Sequence, residues 1–342
     1  MSVRDEIDLV VVGGGRLGTA LGSLVAALGR RVVVWVRRPE LAREINEEHT
    51  NARYLPKVQL SEAFEATTDL ESVVRGTPVV LMTIPSQSFR EVARAVGDTL
   101  EGDQIVVHAT KGFEIETFKR MSQILREETC TLKVGALSGP TIAGEVAAGH
   151  PTGALLASRY DEVLEKVQAL FEGSHFRVYG GRDVVGTEIC GAFKNVIAVA
   201  AGAVDGLQLG ANTKWLIVSR GLNEMARLGT AMGGDVLTFG GLAGIGDLGA
   251  TCTSPLSLSH QIGRRLASGT ESLDAILEDL PNTAEAVPTS AAVHRHATLM
   301  GLDLPIARAV YGLLHESWSV SDAMERLMSI PVGRELAKLR PR

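Results

Sequence analysis

The chain has 342 residues, a length sufficient for two domains with separate hydrophobic cores. Its formal net charge is −6 and its basic residues form no block, which argues against nucleic acid or an anionic membrane surface as a partner. The residues near the N-terminus are charged, and no uninterrupted apolar run reaches the roughly 18 residues that span a bilayer, so no membrane insertion is expected.

Near its N-terminus the chain has a pattern typical of nucleotide-binding folds. Residues 8–12 form a short apolar strand, and Gly13, Gly15 and Gly18 follow it at the G-x-G-x-x-G spacing. The first glycine permits a tight turn, the second lets a pyrophosphate approach the backbone, and the third lets the next helix lie close to the sheet. A helix to about residue 28 and a second strand at 31–36 come at the expected distance. The pattern therefore predicts a dinucleotide site, with a simple tight turn as the alternative.

The end of the second strand is where a dinucleotide-binding domain contacts the adenosine ribose. A carboxylate there favours NAD, whereas an arginine pairs with the 2′-phosphate of NADP. This chain has Arg37 and Arg38 at that point and no carboxylate before Glu40. We therefore expect NADPH to be preferred, with NAD also possible. The alternative is that both arginines are solvated surface residues.

Strands and helices alternate up to about residue 180. Further strands are predicted at 78–84, 104–109, 133–138, 153–157 and 176–179, with helices at 87–96, 161–170 and around 117–127. This alternation predicts a Rossmann-type α/β domain with a mostly parallel sheet and helices on both faces. Ligands of such sheets bind at the carboxyl ends of the strands. Pro85, Lys111 and the run from Ser138 to Thr141 follow predicted strands at such ends.

Strand signals disappear after about Asp183, and long apolar stretches with charges at helical spacing predict an all-α C-terminal domain. We expect a dinucleotide-binding domain over residues 1–186 and a helical substrate and catalytic domain over 187–342. The glycine-rich stretch 240–248 interrupts the helical half. It is either a flexible connection or a tight backbone that presents Asp247.

Lys194 is the only charge between Glu188 and Asp205, in a run of small apolar residues. An ammonium in such a run either reaches solvent at a helix edge or is held by partners inside the protein. Burial lowers the pKa of a lysine toward the range in which it exchanges protons near neutral pH. Because Asn195 follows and a phosphate-binding turn precedes, we interpret Lys194 as a catalytic acid and Asp247 as its carboxylate partner.

The three cysteines, Cys130, Cys190 and Cys252, have no paired spacing. Unpaired cysteines in an apolar-leaning chain are typical of reduced thiols in a cytoplasm. None of them lies in a C-x-x-C or Cys/His arrangement, so no metal site is predicted.

Several motifs occur together and in a fixed order: Gly13–Leu21, Ala109–Gly112, Ser138–Glu145, Lys194–Ala198, Gly210–Asn212, Ser219–Leu222, Gly246–Leu248 and Thr251–Thr253. In this combination the chain resembles the bacterial NAD(P)-dependent glycerol-3-phosphate dehydrogenases over nearly its whole length. The resemblance implies hydride transfer between a nicotinamide and carbon 2 of dihydroxyacetone phosphate or sn-glycerol 3-phosphate. It also suggests a homodimer acting on a small-molecule substrate.

The resemblance assigns roles position by position. Lys194 would be the general acid and base, with Asp247 and Lys111 completing the catalytic group. The cofactor would be bound by Gly13, Gly15, Arg16, Leu17, Gly18, Arg37, Arg38, Pro85, Lys111, Ala143 and Glu285. The substrate would be bound by Lys111, Gly139, Thr141, Asn195, Asp247, Thr251, Ser257 and Ser259.

Two positions depart from the family pattern. Leu258 stands where the family has the arginine of a Ser-Arg-Asn triplet that grips the substrate phosphate, and Gly144 stands at a lysine position. His260, Arg264 and Arg265 are candidate replacements for the missing cation. A related dehydrogenase acting on another small 2-hydroxy or 2-keto compound is therefore an alternative, and a nucleotide-binding sensor without turnover is a further one.

Overall fold

A computed structural model describes residues 7–56, 58–280 and 285–331 of the chain. Of these, the residues up to Thr110 together with Met121–Val184 form one compact unit, here called the α/β unit. The residues of Lys111–Arg120 together with those from Val185 onward form a second, the helical unit. The division after Val184 is close to the predicted boundary between residues 186 and 187. The predicted domains also include residues 1–6, 57, 281–284 and 332–342, which lie outside the described residues.

Among the described residues of the α/β unit, eight strands form one sheet in the order β3-β2-β1-β4-β5-β6-β7-β8. Their bounds are β1 Leu9–Val12, β2 Val32–Trp35, β3 Phe64–Thr67, β4 Val79–Met82, β5 Ile105–His108, β6 Val134–Ser138, β7 Thr152–Ser158 and β8 Phe176–Gly181. All neighbouring strands are parallel except β6 and β7, which are antiparallel. The order reverses between β1 and β4, and at such a point a doubly wound sheet binds its ligand.

Helices cover both faces of this sheet. Their bounds are α1 Arg16–Ala27, α2 Pro39–Arg43, α3 Leu70–Val74, α4 Phe89–Gly97, α5 Met121–Glu128, α6 Ala143–Ala147 and α7 Asp161–Leu170. Along β1, Leu9 and Val11 belong to one buried cluster, whereas Val10 and Val12 belong to another. This alternation places one apolar core on each face of the sheet. The predicted Rossmann-type α/β fold with a mostly parallel sheet is confirmed.

Two local predictions for the α/β unit were incomplete. Strand β3 was not predicted, because its Phe-Glu-Ala-Thr sequence is short and lacks a β-branched run. The helix predicted around residues 117–127 begins only at Met121. The residues before it form a tight turn, with an antiparallel bridge between Phe113 and Arg120.

The helical unit contains helices and no strand among its described residues from 185 to 280 and 285 to 331. Its helices are α8 Val184–Gly206, α9 Gly210–Ala231, α10 Val236–Phe239, α11 Asp247–Thr253, α12 Leu258–Ser268, α13 Leu273–Asp279, α14 Ala286–Leu299, α15 Pro305–His315 and α16 Val320–Met328. The prediction of an all-α C-terminal domain is confirmed. The glycine-rich stretch 240–248 is not a flexible connection, because a π-helical turn over Leu242–Gly246 leads directly into α11.

Helix α8 is the central element of the helical unit. It is long and apolar enough to span a bilayer, but 83% of its most apolar 18-residue window is buried inside the protein, as in a core helix. Its backbone lies against α12: a Cβ built on Gly202 would lie 2.0 Å from the His260 carbonyl oxygen. A Cβ on Gly263 would lie 1.8 Å from the Val199 carbonyl oxygen. Only glycine fits at these two positions, so the two helices are held at backbone contact.

Candidate active site

The glycine-rich turn between β1 and α1 has the backbone geometry that its sequence predicts. Gly13 has a φ of +118°, and a Cβ there would lie 2.9 Å from Ile84 Cγ2. A Cβ on Gly18 would lie 2.2 Å from the Gly13 carbonyl oxygen, so the start of α1 packs too closely for a side chain. These two glycines are required by the fold of the turn itself.

Gly15 differs from its neighbours. It is the N-cap of α1, and a Cβ built on it would meet no protein atom within 4 Å. Packing inside the protein therefore does not explain this glycine, whereas close approach of a pyrophosphate to the backbone does. The first turn of α1 contains no acidic side chain, so its N–H groups and positive dipole end suit an anion. The turn fits a dinucleotide.

Two residues that the sequence did not single out hold this turn. Asn51, which is fully buried, donates from Nδ2 to the Gly14 carbonyl oxygen at 3.0 Å and to Thr19 Oγ1 at 2.9 Å. Thr83, just after β4, donates from its hydroxyl to the Gly13 carbonyl oxygen at 2.9 Å. The position of Thr83 at a strand end was a usable signal, whereas nothing in the sequence alone distinguishes Asn51.

The other predicted cofactor residues of the α/β unit lie at carboxyl ends of strands or on the helices that follow. Arg37 is exposed just beyond β2, and Arg38 is the N-cap of α2, with its guanidinium carbon 5.8 Å from the centroid of the Tyr54 ring. Arg16 and Leu17 begin α1, Pro85 precedes a 3₁₀ turn after β4, and Ala143 begins α6.

Gly139 and Thr141 lie at the carboxyl end of β6 in the α/β unit. Gly139 has a φ of +149°, and a Cβ on it would lie 2.9 Å from Ala154 Cα. Thr141 donates from its hydroxyl to the Gly139 carbonyl oxygen at 3.2 Å. Their contact with a substrate stays a prediction.

In the helical unit, a buried ion-pair cluster forms around Lys194. Its ammonium donates to Asp247 Oδ1 at 2.5 Å and to Thr251 Oγ1 at 2.8 Å. The side chains of Lys194 and Asp247 are only 8% and 2% exposed. Thr251 Oγ1 in turn donates to the Asp247 carbonyl oxygen at 2.6 Å, as expected for residues one turn apart on α11. The structure thus brings together the lysine, carboxylate and hydroxyl that the sequence analysis selected.

Lys111 and Asn195 complete the cluster. Lys111 Nζ donates to the second carboxylate oxygen of Asp247, Oδ2, at 2.7 Å. Asn195 Nδ2 donates to the Lys111 carbonyl oxygen at 3.3 Å and so fixes the backbone beneath this lysine. Asp247 therefore bridges two ammonium groups, one on each of its oxygens.

Burial and charge give these groups distinct protonation behaviour. Burial lowers the pKa of Lys194 to about 8; Asp247 opposes this effect and the ammonium of Lys111 adds to it. Although burial raises it, the pKa of Asp247 is lowered overall by the Lys111 and Lys194 ammonium groups. Asp247 is therefore a carboxylate at neutral pH, whereas Lys194 is close to its titration point. A lysine in this state can give a proton to an oxygen that gains negative charge, or take one from a hydroxyl.

The first turn of α12 lies beside this cluster. Ser259 Oγ donates to Asn195 Oδ1 at 3.4 Å, and Ser257 is the N-cap, accepting from the His260 backbone N–H at 3.3 Å. Leu258 is the first residue of the helix. Ser259 of the altered Ser-Leu-Ser triplet is therefore linked to the Lys111 backbone through Asn195.

Two of the proposed replacements for the missing arginine are engaged elsewhere. His260 Nε2 lies 2.8 Å from Asp205 Oδ2 and its side chain is buried. Arg265 pairs with Glu271 and, at 2.6 Å, with Asp279. Both side chains are therefore paired with carboxylates, and a contact of either with a phosphate stays a prediction. Arg264 is exposed on α12.

The remaining predicted residue, Glu285, is the N-cap of α14 in the helical unit and is half-buried. In the part of the chain that the structure describes, no group of three or more His, Cys, Asp or Glu side chains is arranged to hold a metal ion.

Comparisons with known proteins agree with this geometry. Residues 8–164 match the family described as the NAD-dependent glycerol-3-phosphate dehydrogenase N-terminus, and residues 183–325 match the corresponding C-terminus. A glycerol-3-phosphate dehydrogenase [NAD(P)+] of Moorella thermoacetica is 43% identical over 96% of this chain and 98% of its own length. One from Nitratidesulfovibrio vulgaris is 41% identical over 96% of this chain and 100% of its own.

Solved structures give the same result. The crystal structure of glycerol-3-phosphate dehydrogenase from Coxiella burnetii has a TM-score of 0.91 and 31% sequence identity to this chain. The match covers 95% of this chain and 99% of that one. Both units thus have counterparts in one relative of similar length.

Proposed function

The chain belongs to the NAD-dependent glycerol-3-phosphate dehydrogenase family, and we propose that Lys194, held by Asp247, is the acid and base of its reaction. The enzyme transfers a hydride between NAD(P)H and carbon 2 of dihydroxyacetone phosphate, giving sn-glycerol 3-phosphate, a precursor of glycerophospholipids. The observation that carries the proposed residue role is the buried contact of the Lys194 ammonium with Asp247 at 2.5 Å.

The roles of the cluster follow from its charges. The nicotinamide supplies the hydride when it is bound. As the substrate carbonyl oxygen becomes negative, the ammonium of Lys194 stabilises it and gives it a proton. Lys194 is then a neutral amine, and the Asp247 carboxylate still has the ammonium of Lys111 as its partner. In the oxidative direction the neutral amine accepts the proton from the hydroxyl, which its pKa of about 8 permits near neutral pH.

Substrate binding in the helical unit is assigned to Lys111, Asn195, Thr251, Ser257 and Ser259. When both lysines are protonated, the cluster carries one more positive than negative charge, which suits a phosphorylated substrate. Thr251 accepts from the Lys194 ammonium and helps to orient it, whereas Asn195 holds the backbone of Lys111.

A preference for NADPH is proposed because Arg37 is exposed beyond β2 with no carboxylate before Glu40. One charge-assisted contact to a 2′-phosphate, worth about 1.5–3 kcal/mol, gives a preference of roughly ten- to a hundredfold. Arg37→Ala should remove most of that preference and leave NADH affinity unchanged. Fluorescence titration with NADPH and NADH measures the two affinities. The matched control is Arg43→Ala, which replaces an exposed arginine at the end of α2. Equal affinities of the wild type for NADPH and NADH would contradict the assignment.

The substrate assignment is tested at the altered triplet. We expect the wild type to reduce dihydroxyacetone phosphate efficiently, and Leu258→Arg with Ser259→Asn to raise kcat/KM by less than about tenfold, the worth of one charge-assisted bond. Lys111, Asn195 and Thr251 already meet the substrate, so a restored guanidinium is not essential. Steady-state NADPH oxidation measures this, with unphosphorylated dihydroxyacetone as the comparison substrate. A slow wild type with a large gain in the double variant would show that another substrate is the natural one.

A homodimer in the cytoplasm is the proposed state of the enzyme. The helical unit exposes large apolar side chains on α9, with Trp215 50% and Leu216 53% exposed, which suits association with a second copy. Cys130, Cys190 and Cys252 are all free thiols, in keeping with a reducing compartment. Sedimentation equilibrium of the purified enzyme tests the dimer.

A further inference from the structure

The segment Lys111–Arg120 belongs to the helical unit, and both of its ends contact α8. At its start, Asn195 Nδ2 donates to the Lys111 carbonyl oxygen at 3.3 Å. At its end, Arg120 Nη1 lies 2.5 Å from Glu188 Oε2. Glu188 and Asn195 are about two turns apart on α8, so they lie on the same face roughly 10 Å from each other. One face of α8 therefore holds both ends of the segment that carries Lys111.

The ion pair at the end of the segment is buried. The side chains of Arg120 and Glu188 are 13% and 3% exposed, whereas those of the surface pair Arg75 and Glu71 are 56% and 71% exposed. Exposed pairs contribute little to stability, whereas a buried pair specifies geometry because neither charge tolerates loss of the other. The Arg120–Glu188 pair therefore defines where the segment ends on α8.

The interior of the segment is also fixed by packing. Phe118 has a φ of 57°, a left-handed conformation that a bulky residue adopts only when its surroundings impose it. Its ring stacks on Phe113 at a centroid distance of 4.3 Å and on His296 of α14 at 4.0 Å. These ring contacts fix the backbone conformation of the segment within the helical unit.

We propose that Arg120 is a positioning residue: paired with Glu188, it holds the segment on α8 so that the Lys111 ammonium stays beside Asp247. This inference rests on the proposed function, since it requires that Lys111 and Lys194 share Asp247 during turnover. Lys111 Nζ is 2.7 Å from Asp247 Oδ2, and a displacement of about 1 Å is enough to change a rate by about 10²-fold.

The test replaces both charged residues together, so that neither charge stays at this buried position after the other is removed. Arg120→Met with Glu188→Leu should lower kcat/KM for dihydroxyacetone phosphate by about 10- to 100-fold. NADPH affinity should change much less than kcat/KM, since Gly13–Gly18 are untouched and Lys111 is only one of the proposed cofactor contacts. Arg120→Lys, which keeps the charge, should retain most of the activity.

The pH profile separates positioning from a general loss of structure. The charged groups that face Lys194 are Asp247 and Lys111, while Thr251 and Cys252 are uncharged neighbours. The ammonium of Lys111 lowers the pKa of Lys194 through like-charge repulsion, so displacing Lys111 should move the alkaline limb of reductive kcat to higher pH. Lys111→Met should move the same limb in the same direction.

A double-mutant cycle tests whether Arg120 acts through Lys111. If Arg120 acts through Lys111, adding the Arg120 and Glu188 changes to Lys111→Met should lower kcat/KM by less than a further factor of about two. Fully additive losses, or an unmoved pH limb, would overturn the proposal. If Lys111→Met is as active as wild type, the proposed role of Lys111 is wrong instead.

Arg308→Met with Glu316→Leu, which removes a half-exposed pair in the same unit, is the control for losing an ion pair. If the Arg120 and Glu188 double variant does not fold, Glu188→Gln is measured instead. It keeps an acceptor for Arg120 but removes the negative charge, so kcat/KM and the pH limb should change in the same directions by smaller amounts.

Discussion

Replacing Lys194 with alanine is expected to lower kcat by about 10²–10⁴-fold, the usual effect of losing a general acid. The variant loses the ammonium that we propose as proton donor and as stabiliser of the developing oxyanion, while the glycine-rich turn is unchanged. NADPH affinity should therefore be nearly intact. Steady-state NADPH oxidation with dihydroxyacetone phosphate gives kcat, and fluorescence titration gives the cofactor affinity.

The pH dependence of kcat tests the role of Lys194 independently. Under the proposed role of Lys194, reduction requires its protonated form, so reductive kcat should fall as pH rises through its pKa of about 8. Oxidative kcat should rise over the same range. Lys166→Ala, which removes an exposed lysine paired with Glu162, serves as the matched control. A Lys194→Ala variant that keeps more than about a tenth of wild-type kcat would rule out the assignment.

Asp247→Asn should be similarly severe, with a loss of about 10²-fold or more in kcat, because breaking a buried charge pair costs several kcal/mol. The amide keeps the shape of the side chain but leaves the ammonium groups of Lys111 and Lys194 without a carboxylate. The pKa of Lys194 should then fall further, since Asp247 is the group that raises it. The alkaline limb of reductive kcat should move to lower pH, opposite to the shift expected for Lys111→Met.

The effect of the Asp247 charge on the pKa of Lys194 can be tested by a second substitution. Lys111→Met in the Asp247→Asn background removes the positive charge that lowers the pKa of Lys194, so it should return the alkaline limb toward higher pH. Asp322→Asn, at an exposed capping carboxylate of α16, controls for loss of a negative charge. A limb that stays at the wild-type pH in Asp247→Asn would show that this carboxylate does not control the protonation of Lys194.

Much of the α/β unit was predictable because its signals are local. The valine-rich strands and the glycine spacing depend on neighbouring residues, and their pattern indicated both the sheet and the nucleotide turn. Strand β3 was not predicted because its stability comes from pairing with β2 rather than from its own sequence. The antiparallel placement of β7 beside β6 is likewise a tertiary choice that alternation of strands and helices does not specify.

The candidate site was predictable to the extent that a buried charge demands a partner. A lone lysine in an apolar helix indicated that a carboxylate must be near, and Asp247 lies against it. The assignment of Lys111–Arg120 to the helical unit had no such signal, because it depends on Arg120 meeting Glu188 across a long sequence separation. Likewise, nothing in the sequence indicated that Arg265 pairs with Glu271.

The backbone contact between α8 and α12 bears on how such an enzyme can change its specificity in evolution. Gly202 and Gly263 leave no room for any side chain between the two helices, so the register of α12 on α8 is insensitive to what its first turn carries. Under the proposed substrate roles, substitutions at Leu258 or Ser259 therefore alter recognition of the substrate one residue at a time without displacing Lys194. A substitution at either glycine would disturb recognition and proton transfer together, so single mutations there offer no gradual route to a new substrate.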